Sequence, residues 1–509
     1  MRLEARSGVL RGSAERGLAV FRGVPFAAAP LGALRFAAPQ REPKWQGERE
    51  ALEFGLAPPQ RSDPMIEALG LLGDHEIAED CLTLNFWTPG LDDGRRPVMV
   101  WIHGGAFANG TGAAPIYDGA RLAAAGDVVV VTLNYRVGAW GFLHHPELGP
   151  ANRGLLDQLA ALAWVREHAE AIGGDADRIT LFGESAGAGS ITALLGMPLA
   201  RGAFRRAIIQ SAAPAGMLET GDAEARTRAL LERLAIPQDE VTRLCDVPVE
   251  ALLDAQAACI AEGVWKTGMF FSPVVDGDGL PERPLNAIVD GAAAGVDLVI
   301  GTTTDEMRLF FWDVDPASVP EAAVAPAMSF ELPGQRADGE STAAWARRRY
   351  EVLRRERGLA VDAASLLAAV QTDTRLVLPS LRLAEGHAAH HSATWVYRFA
   401  QPARLGALGA CHALDLPFTF GTLDAPGMPA FAGNGPRERS ISDGLMQAWA
   451  TFARTGDPSC DALGEWPRYA APDRTQMQIG PGAGPCRDPF AQEEAILAEI
   501  DFPDLPPAR

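Results

Sequence analysis

The chain has 509 residues, of which 47% are hydrophobic and 22% are charged, so it can bury a large core. Acidic residues outnumber basic ones by 65 to 45, which gives a formal net charge of −20. This balance argues against nucleic acid and against an anionic membrane as partners, because both favour a basic surface. The six cysteines are too few to indicate a disulfide framework.

The start of the chain carries scattered arginines and glutamates instead of the apolar stretch of a signal peptide. The longest apolar runs, at residues 98–102 and 128–133, have the length of buried strands. They are far shorter than the roughly 20 residues of a membrane span. We therefore expect a cytoplasmic protein with no membrane partner, and we expect it to be a monomer.

Apolar strands alternate with helical stretches over most of the chain. The predicted strands are residues 97–102, 127–133, 178–182, 206–210, 296–300 and 395–399. The predicted helices are residues 154–172 and 186–195. Asn152 is the predicted N-cap of the first helix, and Gly173-Gly174 is predicted to end it. This alternation indicates an α/β fold with a mostly parallel sheet that is covered on both faces.

Two regions break this alternation. Residues 219–264 are rich in Ala, Leu and Arg, and residues 313–378 combine prolines with an Ala- and Arg-rich helical pattern. Neither region has a strong strand pattern. We interpret both as helical insertions at the carboxyl edge of the sheet, where α/β proteins build their sites. Ordinary peripheral helices would give the same pattern.

The segment Gly183-Glu184-Ser185-Ala186-Gly187 has the G-x-S-x-G spacing of a tight strand-to-helix turn. A predicted strand precedes it and a predicted helix follows it, which is the context that the motif requires. Such a turn presents the serine hydroxyl at the sheet edge, above the first N–H groups of the helix. Ser185 is therefore a candidate nucleophile.

A nucleophilic serine needs preorganised hydrogen-bond donors for the oxyanion that forms on its substrate. The segment His103-Gly104-Gly105-Ala106-Phe107 follows the predicted strand at 97–102, and its small residues let backbone N–H groups approach a substrate oxygen. A plain glycine turn would have the same sequence. The segment lies about 80 residues before Ser185, in the order that this type of site requires, so we predict that it supplies the donors.

A serine nucleophile also needs a base, and four histidines follow Ser185 in the chain: His387, His390, His391 and His412. The first three lie in a helical pattern, and we interpret them as a solvated helix face. His412 follows the predicted strand 395–399 in a loop, which suits a base. A carboxylate must orient the imidazole, and both Asp305 and Glu306 follow the strand at 296–300. The pattern leaves both acids as candidates.

Ordered motifs run along nearly the whole chain. They are Phe21-Arg22-Gly23-Val24-Pro25-Phe26, Leu34-Arg35-Phe36, Glu79-Asp80-Cys81-Leu82-Thr83-Leu84-Asn85, Asn134-Tyr135-Arg136-Val137-Gly138, Asn152-Arg153-Gly154-Leu155-Leu156-Asp157-Gln158, residues 182–187, Pro273-Val274-Val275-Asp276-Gly277, residues 301–306, residues 449–458 and Trp466-Pro467. Together they resemble the type-B carboxylesterases, a family that includes bacterial para-nitrobenzyl esterases and the cholinesterases. The resemblance implies an α/β-hydrolase fold with a large, mostly parallel central sheet. It implies a single domain over residues 1–509, with helical insertions at about 219–264 and 313–378 over an active-site gorge.

The resemblance also implies an activity, that of a serine carboxylic-ester hydrolase working through an acyl-enzyme. In a Ser-His-Glu triad of this family, Ser185 would be the nucleophile, His412 the base and Glu306 the acid. The substrate would be a small-molecule ester, and no metal or cofactor would be needed.

The resemblance implies supporting roles for further residues. It matches Ser211 to a buried serine that supports the triad. The residues whose N–H groups it assigns to the oxyanion hole are Gly105, Ala106 and Ala186.

Three positions beside the triad differ from the usual residues of the family: Ala413 for Gly, Asp415 for Glu and Met307 for Gly. Because the triad positions themselves are intact, we expect these changes to tune the pocket and not to abolish activity.

The resemblance also bears on the cysteines. Cys81 lies where many members have a disulfide, but Pro58 stands in the expected partner region. Cys245 and Cys259 fall near a second family disulfide. Loss of the first bridge fits a reducing cytoplasm.

Six phenylalanines are candidates for the lining of an apolar gorge, with core packing as the alternative for each: Phe107, Phe270, Phe271, Phe310, Phe311 and Phe418. Such a pocket suits short-chain or aryl esters. Two alternatives to an esterase stay open: a carbamate or amide hydrolase with the same triad, and a non-catalytic binding module of the same fold. Amides need protonation of a poorer leaving group, so we favour esters.

Overall fold

The computed structural model describes residues 1–61, 65, 67, 73, 75–212, 216–267, 269–502 and 505–506. The strands among these residues are β1 (Arg2–Ala5), β2 (Gly8–Arg11), β3 (Ser13–Glu15), β4 (Leu18–Pro25), β5 (Glu48–Glu50), β6 (Thr83–Thr88), β7 (Arg96–Ile102), β8 (Val129–Leu133), β9 (Gly174–Glu184), β10 (Arg206–Gln210), β11 (Leu218–Glu219), β12 (Val274–Val275), β13 (Asp297–Thr303), β14 (Thr394–Phe399), β15 (Thr475–Ile479) and β16 (Gly484–Arg487). The α-helices among them are α1 (Ala120–Gly126), α2 (Gly138–Phe142), α3 (Arg153–His168), α4 (Ala186–Gly196), α5 (Thr220–Arg233), α6 (Val249–Thr267), α7 (Pro284–Val289), α8 (Glu321–Glu331), α9 (Thr342–Glu356), α10 (Ala363–Thr372), α11 (Leu378–Ala388), α12 (Leu416–Phe420), α13 (Met428–Phe431), α14 (Pro436–Thr455) and α15 (Ala491–Leu497).

Eleven strands form one sheet in the spatial order β3-β4-β6-β8-β7-β9-β10-β13-β14-β15-β16. The strands from β8 to β15 in this order are parallel. The strands β6, β4, β3 and β16 run antiparallel to their neighbours at the two sides. The predicted parallel sheet is therefore the centre of a larger mixed sheet. The sequence pattern does not predict short edge strands such as β3 and β16, because they lack the continuous apolar run of a strand buried on both faces.

Side chains of the central strands alternate between two hydrophobic cores, one on each face of the sheet. In β7, Val98, Val100 and Ile102 belong to the first core, and Met99 and Trp101 belong to the second. The two-residue period of a strand produces this division. Helices α3 and α4 contribute to the first core, and α1 and α14 contribute to the second. Both faces of the sheet are therefore covered, as predicted.

All six predicted strands are present, and β10 has its predicted bounds. The largest difference is in β9, which begins at Gly174 and not at residue 178. Helix α3 ends at His168, and a 3-10 turn continues the chain to Gly173, whose φ of 78° ends the helical path as predicted.

The predicted capping role of Asn152 is wrong. Its backbone is left-handed, with φ 57° and ψ 34°, and its side chain makes no capping bond to α3. The Asn152 amide instead donates to the carbonyl of Val274 at 2.8 Å and accepts from the N–H of Val274 at 2.7 Å. The side chain thus satisfies the backbone of β12 and connects it to the start of α3.

The predicted solvated face at 387–391 is wrong for His387. This residue is buried near the end of α11. Its ring nitrogens lie 2.7 Å from Thr394 Oγ1 and 3.0 Å from the carbonyl oxygen of Val296. Burial lowers the pKa of His387 to about 4. The imidazole therefore connects α11 to the starts of β13 and β14 as a neutral group.

The two regions that interrupt the strand pattern contain mainly helices. Residues 219–264 begin at Glu219, the last residue of the short strand β11. They include α5, the 3-10 segment Gln238–Asp246 and most of α6. Residues 313–378 include α8, α9 and α10. In the second region Ala368 and Leu376 pack against Met307, next to Glu306. This insertion therefore supports the segment that carries the candidate acid.

None of the described helices is long and apolar enough to cross a membrane. The six cysteines all lie in the described residues, and all six are free thiols. Cys245 and Cys259 therefore do not form the second family disulfide.

A buried ion pair connects the loop after β8 to α3. The Arg136 and Asp157 side chains are 1% and 0% exposed, and two of the guanidinium nitrogens lie 2.7 and 2.8 Å from the carboxylate oxygens. The backbone N–H of Arg136 donates to the same carboxylate at 3.0 Å. Arg136 also donates to the carbonyl of Ala37 at 2.8 Å. Removal of one partner would leave a buried charge without compensation.

We predict that Asp157→Ala lowers the free energy of unfolding by about 3–5 kcal/mol, because the Arg136 guanidinium loses its only carboxylate partner among the described residues. Urea denaturation measures the change. Glu240→Ala is the matched control, since it breaks an exposed pair with Arg243 and is expected to cost less than about 1 kcal/mol. Similar losses for the two variants would contradict this assignment.

Candidate active site

Ser185 lies between the end of β9 and the start of α4, as the G-x-S-x-G spacing predicts. Its φ of 55° and ψ of −123° place a non-glycine residue in a strained region of backbone space. A Cβ atom at Gly187 would lie 2.0 Å from the carbonyl oxygen of Ile102. The second glycine of the motif is therefore needed for close contact between α4 and the end of β7. The Ser185 N–H donates to the Gln210 carbonyl at 3.0 Å, which fixes the turn against β10.

Glu306 and His412 form the central hydrogen bond of the site. His412 Nδ1 lies 2.6 Å from Glu306 Oε2. The other carboxylate oxygen, Oε1, accepts from the Ser211 hydroxyl at 2.6 Å and from the N–H of Thr303 at 2.6 Å. Glu306 is fully buried, and Ser211 is also buried. Three donors thus hold this carboxylate in one orientation toward the imidazole.

The structure distinguishes the two acids that the sequence pattern left open. The Asp305 carboxylate accepts from the N–H of Ala410 at 3.1 Å, and the Asp305 N–H donates to the Ala410 carbonyl at 2.8 Å. The His412 N–H donates to the Glu306 carbonyl at 3.1 Å. Asp305 thus holds the loop that carries His412, whereas Glu306 contacts the imidazole itself.

Glu184, the residue before Ser185 in the serine motif, also reaches the imidazole, a contact that the motif does not predict. Its Oε1 atom lies 3.0 Å from His412 Nε2. The imidazole thus lies between two carboxylates, Glu306 on one side and Glu184 of the serine turn on the other. Burial lowers the pKa of His412, but the attraction of Glu184 and Glu306 outweighs burial and raises this pKa well above its usual 6.5.

The segment at 103–107 lies directly beside the serine turn. A Cβ atom at Gly104 would lie 3.1 Å from the Cβ of Ser185. Gly105, Ala106 and Phe107 have φ values of 113°, 54° and 57°, so three successive residues take left-handed backbone. At Gly105 a side chain would also meet the Asn109 carbonyl oxygen at 2.2 Å, so this position requires glycine. The segment is therefore a sharply coiled loop that lies against the serine turn.

Two further contacts hold this loop. The Tyr135 hydroxyl donates to the His103 carbonyl at 2.8 Å, and the Gly138 N–H donates to the Phe107 carbonyl at 2.6 Å. Burial lowers the pKa of His103 to about 4, so its imidazole is neutral. Ala186, the third residue assigned to the oxyanion hole, is the first residue of α4, and its N–H has no acceptor within the helix.

Asp415 forms a second buried acid near the site that sequence reasoning did not assign. Its Oδ2 atom accepts from Gln210 Nε2 and from the Tyr397 hydroxyl, both at 2.9 Å. Burial, together with the negative charges of Glu184 and Glu306, raises the pKa of Asp415 to about 7. In the sequence, Asp415 stands out only because it replaces the usual Glu of the family. Its hydrogen-bond partners lie on β10 and β14, far from it in sequence, so the local pattern does not reveal them.

The structure gives a physical reason for the usual glycine after the histidine. Ala413 has a φ of 63°, which is the left-handed region that glycine enters without penalty. An alanine there costs about 1–2 kcal/mol. The hydrogen bond from the Leu416 N–H to the Ala413 carbonyl at 3.2 Å belongs to the turn that leads into α12.

The six candidate pocket phenylalanines occupy different environments. Phe310 is 48% exposed, and its ring centroid lies 5.7 Å from that of His412. Phe311 is partly buried against the cluster that contains Met307. Phe418 has no exposed surface and packs against Phe399 at a centroid distance of 5.2 Å. The prediction that Phe418 lines a gorge is wrong, because its ring is enclosed in the second hydrophobic core.

The other three rings are buried. Phe107 packs edge-on against Phe142 with ring centroids 4.9 Å apart. Phe270 and Phe271 pack against each other at the same distance, 4.9 Å. These rings belong to the first hydrophobic core, so core packing, the alternative given for each ring, describes them as it describes Phe418.

Comparisons with known proteins agree with this arrangement. A model described as the carboxylesterase family matches residues 1–495. Para-nitrobenzyl esterase of Bacillus subtilis (strain 168) is 39% identical over 470 residues, which cover 91% of this chain and 91% of that protein. Phenmedipham hydrolase of Pseudarthrobacter oxydans is 37% identical over 499 residues, which cover 95% of this chain and 96% of that protein.

Solved structures give the same result. A para-nitrobenzyl esterase structure superposes with a TM-score of 0.84 at 36% identity, covering 98% of this chain and 99% of that one. A carboxylesterase of Geobacillus stearothermophilus at pH 6.2 superposes with a TM-score of 0.84 at 37% identity, covering 97% and 99%.

A large mixed sheet with a serine turn after a central strand, an acid after a later strand and a histidine in a loop beyond it defines an α/β-hydrolase. Within that fold, the chain belongs to the carboxylesterase family. The predicted class, a carboxylic-ester hydrolase, is thereby confirmed.

We predict that the His412 imidazole titrates above pH 6.5 and that Glu184→Gln lowers its pKa, because one of the two nearby carboxylates loses its charge. NMR of the imidazole nitrogens as a function of pH measures both values. Glu50→Gln, on the exposed strand β5, is the control and should leave the titration unchanged. An unchanged His412 midpoint in Glu184→Gln would show that the two groups do not interact.

Proposed function

We propose that the protein hydrolyses carboxylic esters through an acyl-enzyme, with Ser185 as nucleophile, His412 as base and Glu306 as triad acid. The observation that carries this proposal is the 2.6 Å contact between Glu306 and His412, made while the opposite ring nitrogen of His412 faces the serine turn at Glu184. A buried carboxylate on Nδ1 fixes the tautomer and orientation of an imidazole that acts through Nε2.

The proposed reaction begins when His412 Nε2 takes the hydroxyl proton of Ser185 as its oxygen attacks the ester carbonyl. The imidazolium formed in this step lies between the carboxylates of Glu306 and Glu184, which stabilise its charge. His412 then gives the proton to the leaving alkoxide, and the alcohol departs. A water molecule, deprotonated by His412, then attacks the acyl carbonyl. His412 returns that proton to the Ser185 oxygen as the acyl–serine bond breaks, which releases the acid and restores the enzyme.

We propose that the N–H groups of Gly105, Ala106 and Ala186 bind the oxyanion in both tetrahedral intermediates. The coiled loop at 103–107 and the first residue of α4 support this role, because they lie beside Ser185 before any substrate binds. Donors that are fixed in advance need no reorganisation when charge develops, and one such donor typically contributes about 10²–10³ in kcat.

Only the neutral imidazole can accept the serine proton. The raised pKa of His412 therefore supports a pH profile in which activity is low in mildly acidic solution and rises as the pH passes this pKa. The same two carboxylates that stabilise the imidazolium during the reaction thus move the working range toward alkaline pH.

Short-chain and aryl esters are the proposed substrates. Phe310 offers an exposed aromatic face 5.7 Å from the His412 ring, which suits an apolar acyl or aryl group near the nucleophile. Aryl carbamates are a second candidate, because a relative named phenmedipham hydrolase is 37% identical over most of both chains. Amides require protonation of a poorer leaving group and are less favoured.

We also propose a cytoplasmic location, which the six free thiols support, because a reducing compartment keeps cysteines unpaired. We propose that the enzyme acts as a monomer, because Ser185, Glu306 and His412 meet within one fold and this triad needs no residue from a second copy to be complete.

We predict that Ser185→Ala lowers kcat for p-nitrophenyl butyrate by about 10⁴–10⁶, because the nucleophile is lost while the fold stays intact. Release of p-nitrophenol measures the rate, and a phenyl carbamate assayed in parallel should show the same loss if carbamates use the same serine. Ser318→Ala, at an exposed loop position, is the matched control and should retain full activity. Normal turnover by Ser185→Ala would refute the assignment of the nucleophile.

We predict that Phe310→Ala raises KM for aryl esters by about threefold to tenfold with little change in kcat, because it removes apolar contact area and no reacting group. Phe330→Ala is the matched control, since Phe330 is 49% exposed on α8, almost the same as Phe310. Equal effects of the two variants on KM, or a large loss of kcat in Phe310→Ala alone, would contradict a substrate-lining role.

A further inference from the structure

A cavity of about 590 Å³ opens at the end of the sheet opposite to Ser185. Its lining includes Ala176 and Asp177 near the start of β9, Arg205 just before β10 and Val296 just before β13. Ala176 and Ser185 are nine positions apart along β9 and the turn that follows it, a distance of about 30 Å for extended chain. The cavity is thus separate from the proposed active site.

The floor of this cavity is apolar. Leu194 and Leu195 at the end of α4, together with Phe204, line it and are buried. Ala200 also lines it, and the neighbouring Leu199 is 68% exposed, which extends apolar surface beside the cavity. The volume lies within the range of about 300–1,000 Å³ that is usual for small-molecule sites.

Three arginines line the same cavity: Arg166, Arg201 and Arg205. Arg166 donates to the carbonyls of Gly202 at 2.9 Å and Ala203 at 3.3 Å, and Arg205 donates to the carbonyl of Gly295 at 3.2 Å. Within the described part of the chain, the ion pairs do not include these three side chains. Only one acidic residue, Asp177, lines the cavity beside these three arginines. The local excess of positive charge contrasts with the net charge of −20 of the whole protein.

Neighbouring arginines behave differently. Arg178, one residue beyond Asp177, pairs with Asp175, and Arg206, one residue beyond Arg205, pairs with Asp297. Unlike these two neighbours, the three arginines of the cavity have no ion pair among the described residues, and they lie beside an apolar floor. A guanidinium without a carboxylate partner is well suited to bind the carboxylate of a ligand by two parallel hydrogen bonds.

We propose that this cavity binds a small organic carboxylate with an apolar tail. The carboxylate would lie among Arg166, Arg201 and Arg205. The tail would lie over the partly buried Ala292 and Val296 of the lining and the neighbouring exposed Leu199. This assignment does not depend on the proposed reaction, because no residue of the cavity belongs to the serine site.

Gly295 provides a specific way to close the cavity. It lines the cavity, a Cβ atom there would have no neighbour within 4 Å, and its φ is not in the left-handed region. Gly295→Trp should therefore fill the space without backbone strain. Gly221→Trp is the matched control, since Gly221 on α5 also has no neighbour within 4 Å and does not line the cavity.

The experiment is a calorimetric titration of the Ser185→Ala protein with decanoate, below the concentration at which it forms micelles, and with acetate. We expect decanoate to bind at least tenfold more tightly than acetate, because only decanoate covers the apolar floor. We expect Gly295→Trp and the double variant Arg201→Gln/Arg205→Gln each to weaken decanoate binding at least tenfold. The control Gly221→Trp should change decanoate affinity less than twofold. So should the control Arg348→Gln/Arg355→Gln, which removes two exposed charges on α9.

Absence of measurable decanoate binding would overturn the proposal, and so would binding that survives in both cavity variants. Equal affinities for acetate and decanoate would also overturn it, because the floor would then play no part. Each cavity variant is also made in the protein that keeps Ser185, where ester hydrolysis shows that the fold is intact. A catalytically inactive enzyme that still binds decanoate in the cavity separates this proposal from the proposed esterase function.

Discussion

The buried carboxylate of Glu306 is the group on which the rest of the site depends. A charged carboxylate without partners would be very costly in a protein interior. Here donors from three places satisfy it: the Ser211 hydroxyl, the Thr303 N–H and His412 Nδ1. Ser211 follows β10, Thr303 ends β13, and His412 lies in the loop beyond β14. Because β10, β13 and β14 are adjacent parallel strands, the sheet order itself brings these donors together.

A second consequence concerns charge. Glu184, Glu306 and Asp415 are all buried, and the first two carboxylates contact the His412 imidazole. Burial and the negative charges of Glu184 and Glu306 raise the pKa of Asp415 to about 7. Burial lowers the pKa of His412, but the attraction of Glu184 and Glu306 outweighs it and raises this pKa. In the proposed reaction the imidazolium is thus stabilised in the step where it forms, but it also persists in the resting protein to a higher pH. Under this proposal the same residues set both the pH range of activity and the stabilisation of charge during the reaction.

The sequence predicts those parts of the site whose signal is local. The serine turn and the loop at 103–107 each combine glycines with a preceding apolar strand, and the structure has both at the expected strand ends. The choice between Asp305 and Glu306 is not local, because it depends on which carboxylate faces a loop more than 100 residues away in sequence. The family resemblance supplied that choice, and the contact with His412 agrees with it.

Predictions from local pattern fail where long-range contacts decide. Asn152 has the residue type of a helix cap, but Val274 takes both ends of its amide. His387 lies in an Ala-rich helical sequence that resembles an exposed face, yet β13 and β14 enclose it. Phe418 is aromatic and close to His412 in sequence, but its ring lies in the second core. In each case the residue type is informative only once its neighbours in space are known.

We propose that the Glu306–His412 pair activates a single serine, Ser185. Labelling with a fluorophosphonate, followed by mass spectrometry of the digested protein, tests it most directly, because such reagents trap an activated serine oxygen. We expect a single adduct on Ser185, formed in proportion to the loss of activity and formed much more slowly in Glu306→Gln. An adduct on a different serine, or inactivation with Ser185 unmodified, would contradict it.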